Sequence, residues 1–398
     1  MDRVKATLRY INGATGCFGC GACVAACPKS ALRMERDDDG FAYPGMDPAA
    51  CVKCGRCRRV CPVNAERQTA AEGFPKFFSL RHRDAAVRRA STSGGAFTAV
   101  SDAVLARGGA VAGAVMTAEL RARHAVAFDA AGRDAMRGSK YIQSDASAVF
   151  REVRDLLDAG REVLFSGTPC QVAAFRSFLG GRPEGLTTVD FICHGVPSPL
   201  VFEGYLRHLE KLYGSAAARV RFRDQSRGCV PMRIGVDFAD GQSHLGDCDS
   251  DPFFKVFLSG IANRPCCTEC PFTRVSRGSD LTMGDNWRFA AVAPEWDDNT
   301  GVSTLLVNTP RGAELLREAG AFLESKPCTL KDVDQHYLHH PGGENPDRGL
   351  FFKALRRHGF ARAAADFTGP RPLLRRMRSR MSKIFRVLCG KKRRGGGI

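Results

Sequence analysis

The sequence predicts two unlike folded units in one chain: a small α+β unit built around cysteine turns, then a larger α/β unit with a mostly parallel sheet and an antiparallel insertion. Two observations carry this expectation. Eight cysteines fall within the first 61 residues in a duplicated pattern. Beyond residue 75, apolar runs of strand length alternate with helical stretches, the order that builds parallel sheets. A chain of 398 residues has room for both, and 44% apolar with 25% charged residues is an ordinary globular balance.

The small unit comes first. Cys17-x2-Cys20-x2-Cys23-x3-Cys27-Pro28 recurs 34 residues later as Cys51-x2-Cys54-x2-Cys57-x3-Cys61-Pro62. This is the spacing of bacterial two-cluster ferredoxins, in which the fourth cysteine of each run ligates the other cluster. It assigns one [4Fe–4S] cluster to Cys17, Cys20, Cys23 and Cys61, and a second to Cys51, Cys54, Cys57 and Cys27. Structural zinc uses paired C-x2-C half-sites and would leave ligands over. Disulfides belong to secreted chains, and Met1 to Tyr10 carries no apolar stretch of the signal-peptide kind. Short strands are expected at Lys5–Tyr10, Leu32–Glu35 and Phe41–Tyr43, in a ferredoxin-like domain spanning residues 1–72. Its apolar content is small, so the clusters should supply much of its folding energy.

In the larger unit, residues 75–330, Ser91, Thr92, Ser93, Gly94 and Gly95 immediately precede a helical run that ends at Gly108 and Gly109. Small residues at a helix start leave backbone N–H groups open to an anion, and they also serve as ordinary N-caps. Strand Ala110–Met116 follows. Helix Ala148–Ala159, strand Glu162–Ser166 and the strand–turn–helix GTPCQVAAF come next, then a strand entering TTVDFICHGVPSP. Cys170 and Cys193 fall at strand carboxyl ends, where ligands of parallel sheets sit. Residues 219–244 alternate like antiparallel strands, Phe253–Gly260 reads as a helix, and Cys267-x2-Cys270 precedes a Gly284-Asp285 turn. Gly301–Thr309 is a further strand and Arg311–Ala321 a helix. Residues 331–370 form a helical extension.

Six stretches in this order, STSGGAFTA, GSKYIQSD, FSGTPCQVA, VDFICHGVPSP, RPCCTECPF and SDLTMGDNW, resemble the motifs of the coenzyme F420 hydrogenase/dehydrogenase beta-subunit family of iron–sulfur flavoproteins. The resemblance runs from about residue 10 to about residue 325. It implies that residues 75–330 are a flavin-binding catalytic domain, with Ser91 to Gly95 around the FAD pyrophosphate and Lys140, Tyr141 and Gln143 lining the flavin site. It further implies a third [4Fe–4S] cluster on Cys170, Cys193, Cys267 and Cys270, with Cys266 as a substitute ligand; small buried cysteines are the plain alternative. The implied activity is that of an oxidoreductase passing electrons between a two-electron hydride carrier, deazaflavin F420 or a similar coenzyme, at FAD and one-electron partners through the clusters. Such a partner is a ferredoxin or another redox subunit. The alternative is an electron-transfer adaptor docked on a larger enzyme. His194 is the candidate proton donor or a structural histidine of its turn. His339 and His340 read as a polar loop, and Asp285 as a ligand-orienting residue or a cap of its own backbone. Asn286 and Arg288 depart from the family pattern around Trp287.

The net charge of +17 is concentrated at the end of the chain, where residues 371–394 hold eleven basic residues and no acid. Leu373, Leu374, Met377, Met381, Ile384, Phe385 and Leu388 recur there at helical spacing, which fits either an amphipathic helix on an anionic membrane surface or partner, or a solvated terminus. No nucleic-acid reading module accompanies the charge, so no nucleic-acid partner is expected. No run of eighteen apolar residues occurs, so no transmembrane helix is expected. Free thiols in this number predict the cytoplasm, with peripheral contact at the inner face of the membrane if the tail binds lipid.

Overall fold

The computed structural model describes residues 2–13, 16–65 and 69–369. The basic segment 371–398 lies outside the described residues. Helix α1 (Asp2–Asn12) opens the chain where a strand was expected. Val4, Thr7, Leu8 and Ile11 are the inward positions, at the i, i+3, i+4, i+7 spacing of one helical face, which the two-residue alternation of a strand would split between two faces. Two one-turn helices, α2 (Ala22–Ala25) and α3 (Arg56–Arg59), carry the last two cysteines of each run away from their loops. Strands β1 (Leu32–Arg36) and β2 (Ala42–Met46) pair antiparallel between the runs.

The larger unit is an eight-stranded mixed sheet built from β3 (Lys76–His82), β4 (Ala110–Met116), β5 (Ala122–Ala127), β6 (Val163–Ser166), β7 (Leu186–Phe191), β11 (Leu281–Asp285), β12 (Ser303–Val307) and β13 (Leu323–Cys328), with β8 (Ala217–Arg221), β9 (Arg233–Phe238) and β10 (Ser243–Asp247) forming a separate antiparallel sheet. Its order is β13-β3-β12-β11-β7-β6-β4-β5. The four central strands β11, β7, β6 and β4 run parallel, and the flanking strands pair antiparallel. Burial on both faces explains why β4 and β6 read as near-continuous apolar runs. Helices α4 (Ala85–Arg89), α5 (Ala96–Leu105), α6 (Ala130–Asp134), α7 (Val149–Asp158) and α8 (Pro169–Leu179) connect and cover them.

Helices α9 (Pro199–Tyr213) and α10 (Pro252–Leu258) flank the small antiparallel sheet, while α11 (Pro310–Glu318) and α12 (Leu330–Val333) precede α13 (Arg348–Thr368), which kinks at Gly359. Around the β8–β10 insertion a second core gathers Phe202, Tyr205, Phe222, Phe253, Phe351 and Phe352 from several elements and loops. The cysteine unit does not stand apart. Ala22, Ala25 and Val60 share a core with Phe150, Phe165 and Phe175 of the large sheet and its helices.

Candidate functional site

A cavity of about 430 Å³ opens beyond the carboxyl ends of β4, β6 and β7. Its volume is within the range that holds a cofactor. One wall is the turn into α5. There Ser91 Oγ donates to the carbonyl of Val87, Ser93 Oγ donates to that of Val302, and Thr92 Oγ1 accepts from Ser139 N–H. With the hydroxyls committed to the fold, no side chain caps α5, and Gly95 (φ 83°) turns the chain into it. The first-turn residues Ala96, Phe97 and Thr98 line the cavity, as does Arg137, whose Nε donates to Thr98 Oγ1. Uncapped N–H groups with a cation alongside suit a phosphate. Gly94 is needed for closeness: a Cβ there would lie 2.6 Å from Leu80 O and 2.7 Å from Ser303 N.

Lys140, Tyr141 and Gln143 also line the cavity, but each is tied to protein. Lys140 Nζ donates to the carbonyls of Met136 (2.8 Å) and Arg137 (2.9 Å), closing the turn after α6. Burial pushes its ammonium down to about 7. Tyr141 stacks on Phe257 at 4.6 Å, and its hydroxyl lies 3.4 Å from Arg223 Nη1. Gln143 Nε2 donates to the carbonyls of Phe18 and Gly19 in the first cysteine loop.

The opposite wall holds Cys170, Cys193, Cys267 and Cys270, with Cys266 nearby. Cys170 opens α8 at the end of β6, Cys193 follows β7, and the other two belong to the 3-10 turn Pro265–Glu269 and the residue after it. Burial raises the Cys170 thiol well above its ordinary value, and the thiolates of Cys270, Cys193 and Cys267 raise it further. Burial and the neighbouring Cys267 thiolate push Cys193 up to about 12. Cys267 goes the other way, lowered by the hydrogen bond from Cys266, and four half-buried cysteines lining one wall are a donor set that suits iron. Cys266 turns aside, its Sγ donating to Cys17 O at 3.3 Å.

Among the ferredoxin cysteines, Cys27 lies beside the second run, and Cys61 acts on Cys23 of the first, as does Cys57. Burial raises Cys57, and the thiolates acting on it are Cys51, Cys54 and Cys27. Cys61 is raised by burial and by Cys17, and Cys20 by burial, Cys23, Cys17 and also Cys170. The first run therefore lies against the cavity wall. Among the described residues no three His, Cys, Asp or Glu side chains converge on one ion-sized point. A cubane spreads its four thiolates over four corner irons and needs no such convergence.

His194 lines the cavity, stacked on Tyr337 at 4.0 Å. Burial lowers its pKa, with Arg223 and His336 adding to that and Asp285 opposing it. Asp285, in the last position of β11 rather than in a free turn, pairs with the buried Arg223 at 2.9 Å. The departures at Asn286 and Arg288 face elsewhere: Asn286 Nδ2 donates to Ser79 Oγ, and Arg288 Nη1 to Lys331 O. Half-exposed Trp287 reaches the cavity alone, under Arg223 at 5.5 Å. Sequence reasoning missed Arg223, Arg137, His124 and Arg264. Arg264 is fully buried and donates to Cys17 O, Ala42 O and Gln143 Oε1. Its place directly before Pro265-Cys266-Cys267 was the one available signal.

Residues 160–335 match the family model for the carboxyl-terminal part of the coenzyme F420 hydrogenase/dehydrogenase beta subunit, and residues 16–65 match that of a 4Fe-4S dicluster domain. Residues 160–335 are thus similar to the carboxyl-terminal part of that beta subunit, and they follow a stretch similar to a dicluster domain. STSGGAFTA and GSKYIQSD fall between the two matched stretches, so the α5 turn rests on its geometry and not on the match. A solved chain of the xenon-derivatised F420-reducing [NiFe] hydrogenase complex from Methanosarcina barkeri is similar at 19% identity, with 75% of this chain and 91% of that one covered and a TM-score of 0.47. No curated protein matches the sequence. Among the described residues, no helix is long and apolar enough to cross a membrane.

Proposed function

We propose that this chain is an iron–sulfur flavoprotein oxidoreductase exchanging electrons between a two-electron hydride carrier, deazaflavin F420 or a similar reductant, and one-electron partners. FAD would be held by the α5 turn, Ser91 to Gly95, and by the wall of Lys140 and Tyr141. The eight ferredoxin cysteines would hold two [4Fe–4S] clusters with crossed fourth ligands, and Cys170, Cys193, Cys267 and Cys270 a third. When bound, a flavin supplies the interconversion of hydride and single-electron chemistry, and the clusters supply single-electron transfer. The observation that carries this reading is one cavity with an uncapped helix N-terminus on one wall and four half-buried cysteines on the other, backed directly by the first ferredoxin loop. The chain's own residues position and exclude. Arg137 and the α5 N–H groups offer donors to a phosphate, Tyr141 and Phe257 close the apolar side, and His194 holds a proton on a ring that burial keeps neutral.

The test is anaerobic reconstitution with iron, sulfide and FAD, followed by metal analysis and a screen of NADH, NADPH, reduced deazaflavin and reduced ferredoxin for bleaching of bound flavin. Two cubanes give about eight irons per chain and a third gives about twelve. Cys170→Ala should remove only that difference. Full iron with no bound flavin would leave the adaptor reading in its place.

A further inference from the structure

We propose that the exposed rim of the second cysteine loop, formed by Val52, Lys53, Cys54, Arg56, Arg58 and Arg59, is the docking surface for an acidic one-electron carrier protein. This rests on the functional reading above and adds where its protein partner binds and what surface chemistry that partner carries.

Three observations converge on the rim. The two cysteine runs are unequally placed: Cys20 is half-buried against the core of the large unit near Cys170, whereas Cys54 is exposed to solvent. A carrier could approach a cluster held by the second run and not one held by the first. Lys53 takes the left-handed conformation (φ 53°) beside Cys54, which makes the loop a tight outward tip, with Val52 57% exposed at its apex. Three of the four residues of α3 are arginines, all exposed, and none of them pairs with a carboxylate among the described residues; neither does Lys53. Exposed arginines elsewhere include paired ones, such as Arg3 with Glu35 and Arg107 with Glu162, and scattered unpaired ones such as Arg83 and Arg207; what marks the rim is that four cations without carboxylates fall within seven residues of one loop. Four uncompensated cations around one apolar tip therefore form a local positive field, with Arg58 steadied over the Tyr10 ring at 5.8 Å.

A small rim of this kind suits a transient complex, in which charge complementarity sets the encounter rate and the buried area stays low. The exposed thiol decides between a protein and a lipid occupant. A single electron crosses there, one partner oxidised and the other reduced with no bond made or broken, and a phospholipid headgroup can be neither.

The experiment uses the full-length holoprotein under anaerobic conditions with an acidic plant-type [2Fe–2S] ferredoxin as the probe. Binding is measured by calorimetry across a salt series, and reduction by dithionite-reduced methyl viologen serves as a docking-free control. The charge-reversal variant Lys53→Glu/Arg56→Glu/Arg58→Glu/Arg59→Glu is compared with Lys353→Glu/Arg357→Glu, which reverses two exposed charges on α13. The rim variant should lose at least tenfold in affinity at low salt, together with the salt dependence, while the α13 variant and the viologen reaction stay at wild-type levels. Should reversal impair cluster assembly, the neutral variant Arg56→Gln/Arg58→Gln/Arg59→Gln should show a smaller loss in the same direction. Equal affinity in wild type and rim variants with clusters intact overturns the inference and leaves the functional reading standing. Wild-type binding to phosphatidylglycerol vesicles but not to ferredoxin also overturns it, in favour of a membrane. A wild type that assembles no clusters overturns both.

Discussion

His124 is buried at 5% exposure on the cavity wall, its Nε2 against the carbonyl of Ser166 at 2.9 Å and its Nδ1 without a partner. Burial lowers its pKa from 6.5 to about 4. At neutral pH the ring is uncharged in both folded and unfolded chains. As pH falls from 6.5 towards 4 the unfolded chain takes up a proton that the folded one refuses, so stability drops through that window, by up to about 3 kcal/mol. Thermal scans of anaerobic holoprotein from pH 7.5 to 5.5 should therefore show a fall in midpoint that His124→Gln flattens; parallel curves would refute the assignment. Arg264 offers a second residue-scale test. Burial raises the Cys17 thiol, and the Arg264 guanidinium opposes that rise. Arg264→Gln removes that charge, so the cluster proposed on Cys17 should become harder to reduce, while the one proposed on Cys51 should keep its potential. EPR-monitored redox titration separates the two, and an unchanged pair would contradict the placement. Neither residue was legible beforehand, because a charged or titratable side chain is read as surface until packing proves otherwise.

At the scale of elements, the turn into α5 makes the sharpest demand. A Cβ on Gly94 would meet backbone on both sides, Leu80 O and Ser303 N, and backbone cannot rotate away. Gly94→Ala should cost about 1–3 kcal/mol and release bound flavin, whereas Gly320→Ala, with open space around it, should change stability by less than about 0.5 kcal/mol. Differential scanning with and without FAD measures both. The sequence made this turn visible because Ser and Gly before an apolar helical run are a local signal. Three of the four inner strands were equally readable, Ala110–Met116 matching β4 residue for residue, whereas β11 was read as a turn at Gly284-Asp285. Of the antiparallel flanks only β12 was read. β3, β5 and β13 mix charged residues among the apolar ones (KFFSLRH, ARHAVA, LESKPC), and their strand character comes from antiparallel pairing that local composition does not announce. α1 failed for the opposite reason: Val, Thr, Tyr and Ile favour strands locally, and the inward spacing of Val4, Thr7, Leu8 and Ile11 overrides that preference.

For the whole molecule, the cysteine pattern revealed the dicluster domain outright, since its spacing is chemistry written in sequence, but it left out how that domain is seated. Arg264 and Gln143 bind the carbonyls of residues 17–19, and Arg151 Nε donates to Ala25 O. Ala22, Ala25 and Val60 pack into a core that Phe150, Phe165 and Phe175 also occupy. A free-standing ferredoxin domain would unfold alone when its iron is removed. This one cannot, because its loss uncovers apolar surface on α7 and α8. Chelation of the anaerobic holoprotein should therefore raise amide exchange not only in residues 16–65 but also along the inward faces of α7 and α8. The strands β11, β12 and β3 lie in a different core with Leu80, Leu281 and Leu305 and should keep their protection. The exposed Cys54 places the second run nearer the chelator, so exchange should rise around Cys51 to Cys57 before it rises around Cys17 to Cys23. Exchange confined to residues 16–65 would mean that the packing between the two units contributes little. Protection lost evenly across the sheet would mean that the clusters hold the whole fold, and the order of loss between the two runs tells which end of the chain of cysteines meets solvent.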